Sequence, residues 1–329
     1  MGIINDCCRK KKILSTQDLN IFGLKNLGNT CFMNSSLQCI MHSNKLTEKL
    51  ENLPNINVDK IKLANEVSIL LKNIKKGKQH INPKEIKTIL SEVEEKYKHN
   101  EQNDANEFIT IFLNQLLKEL KGYGEYKKSD NIPNSDFELK AYNRLENKFF
   151  IKNESFLLNL FYGRLKREYI CENGHTFNVK FNNYNTLILP QPTSSNKIVD
   201  LLNLYQDNKK INDTISCNEC MKNVKYSIKT SIYDIPTYFI LCLEKEFAYS
   251  SKGLNYPKIL NTKDFMETNN GDYVLNSLIK YSGNRKSGHY IAKVCQDNNW
   301  YSISDSYYWP IDESEINDRN AIILFYSKI

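Results

Sequence analysis

A chain of 329 residues with 40% apolar and 25% charged residues has the balance of an ordinary globular protein, long enough for one large core or two subdomains sharing one. No run of roughly 18 apolar residues is present that could cross a bilayer as a helix, so a soluble protein is expected. The formal charge of +7 does not predict a nucleic-acid partner, because the lysines are dispersed among acidic residues instead of gathering with aromatics on one segment.

The chain opens with MGIINDCCRKKK, where Gly2, the pair Cys7 and Cys8, and the basic run 9–12 coincide. Acylation at Gly2 and a cysteine would supply the two signals that stable membrane attachment needs, although Asp6 stands where such a signal carries Ser or Thr. A solvated flexible tail over 1–20 is the competing reading. Apolar spacing then predicts a helix over 31–50, carried by Phe32, Leu37, Ile40, Met41 and Leu46 and preceded by the turn formers Gly28, Asn29 and Thr30. Two more helices are expected around Ile61, Val67, Leu70, Leu71 and Ile74, and around Ile86, Ile89, Leu90 and Val93, the latter opening near Pro83. A fourth runs over 104–120, with Asp104 as its N-terminal acid and Phe108, Phe112, Leu113, Leu116 and Leu117 as its buried stripe. The charged, Gly-, Asn- and Ser-rich stretch 121–152 reads as an exposed insertion. Beyond it, β-branched and aromatic runs at 165–170, 224–233, 238–243, 290–295, 300–303 and 321–326 predict strands. Helices first and sheet afterwards make an α+β chain, and no repeat or Pro/Ser-rich linker divides it.

Nine cysteines are an odd number, and Cys217 and Cys220 form a Cys-x-x-Cys pair. Without an apolar secretory segment this usage favours reduced thiols and a cytoplasmic setting. In GLKNLGNTCFMNSSLQ, residues 23–38, Cys31 falls on the first turn of the predicted helix, where free N–H groups and the helix dipole stabilise a thiolate. The small residues before it leave room for a substrate carbonyl, and the Asn26 amide can donate to an oxyanion. Taken alone, a helical cysteine is more often inert core, as expected for Cys39. Near the other end, Gly283, Gly288 and polar neighbours form a loop leading to His289, which is followed by a strand that fixes the imidazole. That histidine can take the Cys31 proton and return it to a leaving amine. His42, His80, His99 and His175 lack such a setting and read as surface residues.

GLKNLGNTCFMNSSLQ resembles the cysteine box of the ubiquitin-specific proteases, and SGHYIAKV with WYSISDS resembles their histidine box. QNDANEF at 102–108, YGRLKREYIC at 162–171, PTYFILCLEKEF at 236–247 and AIILFY at 321–326 extend the similarity from about Phe22 to Tyr326. The resemblance implies a papain-like cysteine protease fold, with a helical thumb over about 21–125, β-ribbon fingers over about 155–235 and a β-rich palm in the remainder. It implies a deubiquitinase that hydrolyses isopeptide or peptide bonds at the C-terminal glycine of ubiquitin through a thioester. By position, Cys31 is the nucleophile, His289 the general base and acid, and Asn26 the oxyanion donor. Gln102, Asp104, Gly288 and Tyr290 are assigned to substrate, Asp104 meeting a basic residue of the ubiquitin tail and Tyr290 lining a channel narrow enough to select glycine. Ubiquitin and ubiquitinated proteins are the implied partners, of a monomeric enzyme with no cofactor in its chemistry.

Two positions depart from the family pattern. Ser304 stands where the histidine-orienting Asp or Asn is usual; its hydroxyl still accepts from an imidazole N–H, with Asp305 contributing charge beside it. The finger zinc motif keeps Cys217 and Cys220, but its first pair has become Cys171 and His175. A Cys3His structural zinc site and a metal-free remnant held by packing both stand. Other readings are a deconjugase of a different ubiquitin-like modifier and a weakly active or inactive ubiquitin-binding module.

Overall fold

The computed structural model describes residues 20–53, 58–190, 195–243, 253–266, 271–283 and 287–329. The acylation signals at Gly2, Cys7 and Cys8 lie outside these residues, as do parts of the segments 236–247 and 281–309. Helices come first: α1 (Cys31–Met41), α2 (Asn44–Glu51), α3 (Lys62–Lys75), α4 (Lys84–Val93) and α5 (Ala105–Glu119). A short parallel pair, β1 (Gly23–Leu24) with β2 (His80–Ile81), ties the entry of α1 to the start of α4. The expected helix over 31–50 is two helices. Its break lies at His42 and Ser43, where the Ser43 N–H turns back to the Ile40 carbonyl. His42 is buried, not a surface residue: it stacks on Phe22 with ring centroids 5.8 Å apart, and burial pushes its imidazole down to about 4 despite a bond to the Gln38 carbonyl. Asp104 caps α5 by accepting from the Glu107 N–H at 3.0 Å, satisfying one of the free first-turn donors.

The stretch 121–152 departs from the expected exposed insertion. It contains α6 (Asp136–Leu145), capped by Ser135, and a π-helical turn, Glu146–Phe150, with Tyr142, Glu146 and Phe150 buried. Its polar composition misled because the burial is partly ionic. Arg164, 4% exposed, donates to Glu146 through Nε at 2.8 Å and to Asp234 through Nη1 at 2.7 Å, and stacks over Phe150 at 3.7 Å.

After α7 (Phe156–Phe161) come the strands β3 (Gly163–Cys171), β4 (Thr176–Tyr184), β5 (Leu187–Leu189), β6 (Asn208–Cys217), β7 (Lys222–Asp234) and β8 (Tyr238–Leu243), with α8 (Ile198–Tyr205) between β5 and β6. The remaining strands are β9 (Ile259–Asn261), β10 (Asp272–Gly283), β11 (Gly288–Gln296), β12 (Asn299–Ser304), β13 (Tyr307–Ile311) and β14 (Ala321–Lys328). Among the described residues, one antiparallel sheet has the order β4-β3-β7-β6, and a larger one runs β13-β12-β11-β10-β14-β8-β5, with β9 added beside β10. β5 lies inside the span expected for the fingers yet pairs in parallel with β8 in the larger sheet.

The larger sheet is covered on both faces, which explains the unbroken apolar runs of its central strands. Along β8, Tyr238, Ile240 and Cys242 pack against the helices, while Phe239, Leu241 and Leu243 pack with α8 on the other side. Helix α1 is buried along its whole length, between α5 and strands β10, β11 and β12. Both walls of the cleft are therefore rigid elements that meet at the N-terminus of α1.

Candidate active site

Cys31 is the first residue of α1, where the helix N–H groups have no intrahelical partner. The loop before it is held by its own polar groups. Asn26 Oδ1 accepts from the Gly28 N–H at 2.9 Å and the Thr30 N–H at 3.2 Å, and the Leu27 N–H donates to Thr30 Oγ1 at 2.8 Å. Gly28 has φ +98°, and a Cβ there would press on the Asn100 side chain, so this turn calls for glycine on both counts.

His289 is the second residue of β11, and Ser304 ends β12. The imidazole Nε2 lies 2.8 Å from Ser304 Oγ, which leaves Nδ1 for the Cys31 sulfur, to which the ring is also hydrogen-bonded. Burial alone would raise the Cys31 thiol. Hydrogen bonds from His289, the Tyr290 backbone and Gln102, together with the histidine's charge, outweigh it and hold the thiol below its ordinary value. His289 moves the opposite way: its bond to the Cys31 sulfur raises the imidazole against a burial penalty, and the charges of Cys31 and Asp305 add to the rise. A lowered thiol beside a raised imidazole moves both groups in the direction that favours a thiolate–imidazolium pair. Cys39, eight positions along the same helix, is pushed by burial up to about 12 and is inert, as expected.

Asp305 lies in the two-residue turn between β12 and β13, with φ +52°. Its Oδ2 accepts from Asn26 Nδ2 at 2.8 Å, its Oδ1 accepts from Asn34 Nδ2 at 2.7 Å, and its carbonyl accepts from the Leu24 N–H at 2.8 Å. One carboxylate thus fixes the Asn26 loop and α1 to the histidine strands. Asn26 keeps a second amide hydrogen for an oxyanion. Asn34 was not singled out in the sequence; its signal was its place three residues after Cys31, on the same helix face.

Of the residues assigned to substrate, Gln102 sits nearest the chemistry. Its Nε2 donates to the Gly288 carbonyl and lies 3.9 Å from Cys31 Sγ, so it bridges the α5 wall and the histidine strand. Gly288 leaves no space for a Cβ, which would strike the Tyr281 hydroxyl. Asp104 is half-buried at the start of α5. Tyr290 differs from expectation: it is 1% exposed, packs on Tyr281 with centroids 4.7 Å apart, and meets the Ala105 backbone through its hydroxyl. Its side chain is enclosed against Tyr281 and the start of α5, while its backbone bonds to the Cys31 sulfur.

The four candidate metal ligands come together at the tips of the β3–β4 and β6–β7 hairpins. The ligand atoms of Cys171, His175, Cys217 and Cys220 all lie within 4.8 Å of one another. His175 Nδ1 is 3.6 Å from Cys171 Sγ, 3.3 Å from Cys220 Sγ and 3.9 Å from Cys217 Sγ, and the Cys171 and Cys220 sulfurs are 3.9 Å apart. A tetrahedral zinc with ordinary Zn–S and Zn–N bonds needs edges of about 3.6 to 3.8 Å, so this donor set fits structural zinc. His175, read from sequence as a surface residue unless it joined such a site, does join the cluster.

A family model described as ubiquitin carboxyl-terminal hydrolase matches residues 22–326. Ubiquitin carboxyl-terminal hydrolase Usp2 of Drosophila melanogaster is 27% identical over 337 residues, covering 93% of this chain and 34% of that protein. Ubiquitin carboxyl-terminal hydrolase 2 of Homo sapiens is 26% identical over 335 residues, covering 92% and 54%. The chain thus spans between a third and about half of the length of these relatives. Among solved structures, the SAGA DUB module Ubp8/Sgf11/Sus1/Sgf73 bound to ubiquitin aldehyde is similar with a TM-score of 0.71 at 18% identity, over 99% of this chain and 73% of that one. The same module bound to monoubiquitin gives 0.72 at 19% identity, over 98% and 73%. At those identities the likeness is one of fold, and the mixture of helices and sheets is the α+β class expected from the sequence. With the family model running through both walls of the cleft and both hairpins of the smaller sheet, the chain belongs to the ubiquitin carboxyl-terminal hydrolase family.

Proposed function

We propose that this chain is a thiol-dependent deubiquitinase that hydrolyses the bond to the C-terminal glycine of ubiquitin. The observation that carries the reading is His289 held between Ser304 and Cys31, with the thiol lowered and the imidazole raised. The Cys31 thiolate attacks the glycine carbonyl, and the resulting oxyanion accepts a hydrogen bond from the free Asn26 amide N–H. The bond to the leaving amine breaks as His289 gives that amine its proton. Neutral His289 then draws a proton from water, which displaces Cys31 from the thioester and frees the ubiquitin carboxylate. Asp104 meets a basic residue of the ubiquitin tail, and Gln102 and Gly288 border the thiol where the tail ends. Ubiquitin as partner is supported by family membership and by the ubiquitin bound to the similar Ubp8 module.

Ser304 at hydrogen-bond distance from His289 weighs against an inactive binding module, because the base is oriented without a carboxylate. Zinc at Cys171, His175, Cys217 and Cys220 would clamp the two finger hairpins and take no part in the chemistry. A cytoplasmic location, with attachment to a membrane surface through Gly2, Cys7 and Cys8, belongs to the same reading and is tested by fractionation of cells after fatty-acid labelling.

The deciding experiment is incubation with ubiquitin carrying a C-terminal electrophile. An adduct of one ubiquitin per chain is expected, absent from Cys31→Ala. A folded chain that forms no adduct overturns the proposal, and an adduct formed only with another modifier's probe reassigns the substrate.

A further inference from the structure

Beside the Asn26 loop lies an open pocket of about 510 Å³ whose rim carries Lys25, Lys84, Lys87 and Lys98. Charges on α4 are sorted by face. Lys84, Lys87, Thr88 and Ser91, at helical spacing, line the pocket. Glu92 instead pairs with Lys62 at the start of α3, and Glu85 is close enough to Glu66 of α3 to raise its carboxyl. Lys98 pairs with Glu95 at 3.7 Å, both exposed. Among the described residues Lys25, Lys84 and Lys87 have no ion-pair partner, and Lys87 reaches only the neutral Asn100 side chain at 3.1 Å. The helix thus sends its carboxylates toward α3 and keeps its lysines for the opening.

The position of this opening gives it meaning. Asn26, part of the pocket wall, belongs to the turn that ends in Cys31. Gln102, which lies 3.9 Å from the thiol and donates to the Gly288 carbonyl, sits toward the far end of segment 98–104, whose near end carries Lys98 into the pocket rim. A substrate whose glycine carbonyl sits between Cys31 and Asn26, with the tail of ubiquitin on the Gln102 side, extends its leaving group past Asn26.

Resting on the deubiquitinase reading, we propose that the pocket formed by Lys25, Lys84, Lys87 and Lys98 binds the leaving-group side of the conjugate and favours acceptor proteins with acidic residues around the modified lysine. Carboxylates there meet the ammonium groups of Lys25, Lys84 and Lys87, which have no ion-pair partner among the described residues, with Lys98 adding its charge and the Thr88 hydroxyl a donor between them. The surface is open to solvent, so the attraction is screened by salt and acts as a preference among substrates.

The test uses three substrates: ubiquitin bearing a neutral coumarin amide, and ubiquitin isopeptide-linked to a lysine flanked by Asp and Glu in one peptide and by Lys and Arg in another. The wild-type chain is expected to cleave the acidic conjugate with a kcat/KM about fivefold above the basic one at low salt, the scale of one or two exposed ion pairs. Lys84→Glu with Lys87→Glu reverses the order, and Lys84→Gln with Lys87→Gln removes it, while coumarin release stays at the wild-type rate in both. Equal rates for the two peptide conjugates, or a preference unchanged in both double variants, overturn the proposal alone. Failure of the folded wild-type chain to release coumarin overturns the deubiquitinase reading and this inference with it.

Discussion

Ser304→Ala isolates the unusual member of the catalytic constellation. The substitution removes an oxygen 2.8 Å from His289 Nε2 and little else, because Ser304 sits at the end of β12, half-buried, and its backbone pairing with Tyr307 does not use the side chain. The shifts favour a charged imidazole, and a lost bond to a charged donor is worth about 1.5 to 3 kcal/mol. If that energy holds the ring in its reactive orientation, kcat falls by roughly 10- to 150-fold with KM nearly unchanged, since the hydroxyl touches no substrate. Steady-state release of coumarin from ubiquitin at saturating substrate measures this directly, with thermal melting to verify the fold. Ser304→Asp is the counter-variant: a carboxylate at the same distance stabilises the imidazolium, so activity is retained and its alkaline limit moves to higher pH. Unchanged turnover in Ser304→Ala together with abolished turnover in Asp305→Ala would refute the assignment and make the turn carboxylate the orienting group.

The remaining predictions address charge, metal and packing. The reactive pair requires Cys31 ionised and His289 protonated; with the thiol lowered and the imidazole raised, kcat/KM should form a plateau between the two, lost on the acid side as the thiolate is protonated and on the alkaline side as His289 loses its proton. Asp305→Asn removes a charge that raises His289, so the alkaline limb of the pH–rate profile shifts downward. Purified protein should contain one zinc by elemental analysis. Cys217→Ser should lose it and melt at lower temperature, while the Cys31 adduct still forms, because the cluster lies at the hairpin tips of the smaller sheet and shares no element with Cys31 or His289. Glu146→Ala leaves the buried Arg164 with Asp234 as its remaining carboxylate partner and should cost about 3 kcal/mol in chemical denaturation.

Much of the site was legible because its chemistry is local in sequence. Cys31 follows a turn that only small residues make, and His289 precedes a strand with a clear apolar run. The apolar segments 238–243 and 321–326 announced strands because both faces of the larger sheet are covered. Where the sequence misled, a non-local partner supplied the reason. The stretch 121–152 looks solvated until Arg164 and Asp234 are placed beside Glu146. β6 went unread because its NKKINDTISC ribbon is mostly exposed, so no alternation marks it. Asn34 is ordinary helix filler until Asp305 arrives from the other end of the chain. Tyr290 was expected at the substrate channel from the family resemblance alone, which carries no information on how far Tyr281 and the start of α5 enclose its ring.

The Asp305 bridge sets a clock on the enzyme's biosynthesis. Its bonds to Asn26 and Asn34 join residues 279 and 271 positions apart. At about 5 to 20 residues per second, the ribosome delivers the histidine hairpin roughly 13 to 55 s after the nucleophile. Throughout that interval Cys31 lacks the hydrogen bonds from His289 and the Tyr290 backbone, and the histidine's charge, that lower it. The proposed protease site is complete only when the last strands dock, so a prematurely terminated product would retain the cysteine without its base.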